Sequence, residues 1–214
     1  MKNAIKSYLV FTTGLCRIVT FVLTPLLAVG LQWLMEPRDL MAASILNAWV
    51  LIPAEIMLDY WVFGGIAVRN ARQMEYLKTS GKGRSVMRMA LIADTARQFV
   101  AGVILFVFGI AFCLCRGSVT SWESGRLAEG IAVLLFAYVL TVIGITVARH
   151  FDGMAANMTM AAVAFALLSG GLFLIAANAY VMLAVSLVLA AVSGIFGVWK
   201  IMKSVEEGYY DQAV

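Results

Sequence analysis

MAANMTMAAVAFALLSGGLFLIAANAYVMLAVSLVLAAVSGIFGVW, residues 154–199, runs for 46 residues without one charged side chain. As a single helix it would be about 69 Å long, at roughly 1.5 Å per residue. The hydrocarbon layer of a bilayer is only about 30 Å thick. The stretch therefore reads as two membrane spans, joined near Asn178 and Tyr180 or folded at Gly170-Gly171. Lys200 and Lys203 close the second span, and an acidic tail over 204–214 follows.

The rest of the 214-residue chain has the same character. Hydrophobic residues make up 63% and charged residues 13%, too little polarity to cover a water-soluble core of this size. Four more apolar stretches lie upstream, at 18–35, 40–68, 99–115 and 130–148. The expected fold is an all-α integral membrane protein with six transmembrane helices in one domain. Pro25 should kink or break the first span, which neighbouring helices tolerate in a membrane. Lys2 and Lys6 precede an apolar run that Arg17 interrupts. With no small-x-small cleavage pattern at the expected distance, residues 1–17 read as a retained helix lying in the interface.

Orientation follows from the cations. With the N-terminus inside and six crossings, one side holds Lys2, Lys6, Arg17, Arg69, Arg72, Lys78, Lys82, Arg84, Arg88, Arg97, Arg149, Lys200 and Lys203. The other holds Arg38, Arg116 and Arg126. Thirteen against three places both termini in the cytoplasm by the positive-inside rule. The implied location is the cell membrane, multi-pass. The net charge of +4 then reflects cytoplasmic loops and gives no reason to expect nucleic acid.

The largest cytoplasmic segment is 69–98, where seven of thirty residues are Lys or Arg and two are acidic. Good helix formers fill 69–79, Ser80-Gly81-Lys82-Gly83 reads as a turn, and 84–98 reads as a second helix. Val86, Met87, Ala90 and Leu91 share one side of it, Arg84, Arg88 and Thr95 lean to another, and Asp94 and Arg97 are spaced to pair. Three roles compete. Basic residues near a membrane neutralise headgroups, at about 1 kcal/mol each. A phosphate loop at Gly81-Lys82 fails, because Gly83 stands where the pattern needs Ser or Thr. A helical hairpin also suits docking into a partner's groove.

The segments DYWVFGG at 59–65, MEYLKTSGKGR at 74–84 and ALIADTAR at 90–97 are similar to small bacterial permeases of the ABC-2 type, the membrane-spanning subunits of ATP-binding-cassette exporters. The layout resembles that family too, with an interfacial N-terminal helix, six spans, and a cytoplasmic connection between spans two and three. The resemblance implies that the connection is the coupling hairpin, gripped by a cytoplasmic ATPase through Lys78, Lys82, Arg84, Arg88, Asp94 and Arg97. It implies a transport subunit that is not itself an enzyme. ATP would be bound and hydrolysed by the partner, and this chain would hold no cofactor or metal of its own. A second permease subunit, identical or similar, would complete the path for an amphipathic substrate such as a peptide, lipid or drug. The family often has a polar or re-entrant element between its last two spans, whereas that region here is short and apolar.

Glu55 and Asp59 lie four apart, on one face of the second span. Ionised carboxylates are costly in lipid and face protein or water. They serve either as a cation or proton relay or as structural partners, Asp59 for Arg69 or Arg72. An ion-coupled carrier or substrate-binding component built on this pair is the alternative function, and a non-transport membrane scaffold is a third. Asn157, Thr159, Asn178 and Ser186 are expected to bond between helices. Cys16, Cys113 and Cys115 read as packing residues. No catalytic triad or paired-acid set is visible.

Overall fold

The structure is a computed structural model that describes residues 2–64, 77, 79–116, 124–148 and 154–206. The described residues are helical, and six helices are long and apolar enough to cross a membrane. A short α1 (Lys2–Phe11) leads to α2 (Gly14–Met35). Next come α3 (Leu40–Asp59), which continues as a π-helical turn over Tyr60–Gly64, and α4 (Gly81–Cys115). The chain ends with α5 (Ser124–Ala148), α6 (Met154–Ala177) and α7 (Ala179–Glu206).

Local chemistry sets the boundaries. The Thr13 hydroxyl accepts from the Cys16 amide, and the Asp39 carboxylate accepts from that of Ala42, so each caps the helix that follows. Pro25 brings no N–H, and α2 adjusts by opening into a π-helical turn over Val19–Leu23 immediately before it. The Thr24 hydroxyl donates to the Val19 carbonyl within that turn (2.9 Å). The expected kink is thus a change of register. The break in the charge-free run falls at Asn178, whose side chain accepts from the Val181 amide at the start of α7. Gly170 and Gly171 lie inside α6.

Two starts differ from the sequence pattern. Ser124 to Glu129 are helical, so α5 begins six residues ahead of the expected 130. The break expected over Ser80 to Gly83 is confined to Ser80, a bend between the helical Thr79 and Gly81. Ser80 is the N-cap of α4 and its hydroxyl accepts from the Gly83 amide (2.9 Å). Residues 84–98 and the third span are therefore one unbroken helix of 35 residues. Gly83 is needed for space: a Cβ there would lie 2.5 Å from the Leu77 carbonyl oxygen.

The bundle is built around α5, which packs most extensively on α7 and α3 and then on α6. In the most apolar stretch of α3 and of α5, 61% of residues are buried, against 17% in α2 and 22% in α6 and α7. The first two form the core, and the others turn most of their surface to lipid. Close approach depends on glycine. A Cβ on Gly171 would collide with the Phe136 ring, and one on Gly197 would come 2.8 Å from Val142. Both glycines therefore pack inside the chain. The thinly buried α2 is pinned by one polar contact: Gln32 donates to Asn47 of α3 (2.6 Å), which donates to the Leu105 carbonyl of α4 (2.8 Å).

Thr159, Asn178 and Ser186 do not bond between helices as expected. The Thr159 hydroxyl turns back to the Ala155 carbonyl of its own helix. Asn178 caps α7, and the buried Ser186 hydroxyl lacks a hydrogen-bond partner. Cys16 and Cys113 are buried, while Cys115 is exposed.

Candidate functional site

The first turns of α4 carry two faces. Met87, Ala90 and Leu91 are buried in one apolar cluster with Tyr8 and Phe11 of α1 and Val62 and Phe63 at the end of α3. The Phe11 and Phe63 rings lie 5.5 Å apart. The other face is charged: Lys82 and Arg84 are exposed and Arg88 is half-buried. Thr95, expected beside the arginines, is buried and bonds to the Leu91 carbonyl. Lys78, and Arg69 and Arg72 as partners for Asp59, lie outside the described residues.

One turn deeper, the helix brings Asp94, Arg97 and Gln98 against α3. Arg97 grips Glu55 with both ends of its fork, Nη1 to Oε1 at 2.9 Å and Nη2 to Oε2 at 2.5 Å. Its Nε and Nη2 also donate to Asp94 Oδ1, at 3.0 and 2.8 Å. Gln98 donates to the second Asp94 oxygen (2.9 Å). The Arg97 guanidinium lies 5.7 Å from the centre of the Tyr8 ring, within cation–π range. Side-chain exposure is 12% for Arg97 and 2% for Glu55 and for Asp94. Such bidentate, charge-assisted contacts are the strong kind, and burial shields them from salt.

Two carboxylates share one guanidinium here, and Asp59, a turn away on α3, is also buried. Burial, and then the negative charge of Asp94, push the Tyr8 phenol well above its ordinary value, so it stays neutral. The helix that delivers Tyr8 is fixed at its C-terminal end by Arg17, whose Nη2 donates to the Leu9 and Thr12 carbonyls.

The structure thus unites Glu55, Asp94 and Arg97 and separates them from Lys82 and Arg84, which project toward the start of α4. The Asp94–Arg97 contact follows from helical spacing. The Glu55–Arg97 contact joins residues 42 apart, and the parts of Tyr8 and Gln98 emerge only in three dimensions. Arg97 occupies both Glu55 oxygens and one Asp94 oxygen, an arrangement that fastens α4 to α3. Comparison with protein-family models, curated proteins and solved structures finds no match for this chain.

Proposed function

We propose that the chain is the membrane-spanning subunit of an ATP-driven exporter and that α4 is its lever. The observation that carries this reading is the continuity of α4, 35 residues without a break. At about 1.5 Å per residue it is roughly 52 Å long and overreaches the hydrocarbon layer. Its early turns, with Lys82 and Arg84 exposed, form an arm clamped to α3 by Arg97 and covered by α1. Force applied to such an arm moves spans two and three together. In this reading the arm faces the cytoplasm, where the surplus of cations is expected to lie. A partner ATPase docks on it, and a second permease subunit completes the path through the cell membrane. The amphipathic nature of the cargo follows from the resemblance to ABC-2 permeases.

The competing reading is an ion-coupled carrier, and it draws on the three buried carboxylates Glu55, Asp59 and Asp94. Purification of the tagged chain from its native membrane separates the two. An exporter subunit retains an ATPase, and Arg84→Glu with Arg88→Glu uncouples ATP hydrolysis from transport while the fold survives. If no ATPase is retained, and Glu55→Gln alone abolishes activity, the carrier reading replaces ours.

A further inference from the structure

At the opposite end of α4 from the arm, Arg116 follows the last turn and donates to Glu36 of the α2–α3 connection (2.7 Å). Its guanidinium also lies 5.5 Å from the centre of the Phe112 ring. These residues, with Pro37 and Arg38, line an open hollow of about 400 Å³. The lining holds two guanidinium groups against one carboxylate, a surplus of one positive charge. A volume of this order matches sites for small organic molecules, which occupy roughly 300–1,000 Å³. Phe112 and Pro37 supply apolar walls for an organic substituent.

The shape of the charge is as informative as its sign. A guanidinium has five donors in a planar fork. Glu36 takes one donor nitrogen of Arg116, and the remaining nitrogens keep donors for a second anion. Arg38, which also lines the hollow, is exposed. Two planar forks on one hollow suit the oxygens of a phosphate. The hollow also sits at the right depth for one. Trp33, Leu34 and Met35, immediately before Glu36, are 67%, 73% and 57% exposed. An exposed Trp at the end of a span marks the level of the headgroups.

We infer that this hollow binds a phosphodiester, with Arg38 and Arg116 on the phosphate oxygens and Phe112 and Pro37 against its organic substituent. The inference is independent of the exporter reading. It rests on the end of the bundle away from the arm, and it would stand if the chain were a carrier or a scaffold.

Native mass spectrometry of the full chain, released from detergent and titrated with phosphatidylglycerol, tests it. One tightly held lipid is expected. Arg38→Glu should weaken its retention about tenfold, the loss of one charge-assisted contact. Glu36→Gln should strengthen it, because it removes the competing carboxylate and frees Arg116. Lys6→Glu, a charge reversal at the opposite end of the chain's first span, should leave it unchanged. Competition by glycerophosphoglycerol identifies the source. Displacement points to a soluble phosphodiester, and persistence of the adduct points to the lipid, both within the proposal. Equal retention in the wild type, Arg38→Glu and Glu36→Gln overturns it, as does an equal loss in Arg38→Glu and Lys6→Glu.

Discussion

Two arginines of the α4 segment, Arg97 and Arg116, each reach a glutamate on a neighbouring element, yet they serve opposite purposes. Side-chain exposure is 12% and 2% at the Arg97–Glu55 contact and 39% and 64% at the Arg116–Glu36 contact. Where water is excluded, neither partner can be lost without stranding the other, and the contact is a permanent fastening. Where water competes, the same chemistry is weak and exchangeable. The protein thus fixes α4, the longest helix among the described residues, at its middle and leaves its far end open to a ligand.

The sharpest way to break this contrast is Arg97→Leu. It strands Glu55 and Asp94 in the interior, and the expected loss is roughly 3–5 kcal/mol of stability. A large fall in the thermal unfolding midpoint in detergent would show it. A fall no larger than that of Arg116→Ala would erase the distinction. Gly197→Leu tests the packing around α5 with no charge involved. Overfilling the contact with Val142 is expected to cost about 1–3 kcal/mol by the same assay. Phe11→Ala should have a smaller global effect and a clear local one. Hydrogen exchange of the α1 amides should rise while that of α5 stays unchanged, because the substitution loosens a peripheral helix and leaves the core intact. Arg116→Ala should shift stability by less than about 1 kcal/mol. Salt offers a final refinement. Raising ionic strength to about 1 M shortens the screening length to about 3 Å. This should abolish the small difference between Arg116→Ala and the wild type while preserving the Arg97→Leu defect.

The same contrast marks what the sequence could disclose. Six spans were legible because the apolar runs and their flanking charges report directly on burial in lipid. The start of α5 was less so, since Ser124 to Glu129 is polar helix that resembles loop in composition, and the continuity of 84–98 with the third span has no sign of its own in a pattern that passes from amphipathic to apolar. The Asp94–Arg97 pair was visible because helical geometry alone brings i and i+3 together. Glu55 could be recognised as costly, but nothing local names a partner 42 residues away. Gln32 and Asn47 were passed over because a single amide in an apolar span has no periodic signal. Their bond appears only when α2 is laid against α3. The exporter reading takes its orientation from the counted cations, and impermeant labelling of a cysteine placed at Ser80 tests it. Reaction from outside intact cells would reverse the placement of the arm.

The π-helical turn before Pro25 has a consequence for how this chain tolerates change in length. A π-helical turn holds one residue more than the α-helical turn it replaces, so one residue removed from Val19–Leu23 would be absorbed by a return to ordinary winding, and Tyr8 and Phe11 would keep facing Arg97 and Phe63. The same deletion between Ala28 and Gln32, where α2 is plain α-helix, would swing one side of the cut by about 100° against the other. A single-codon deletion should therefore be tolerated in the turn and disruptive a few residues beyond it.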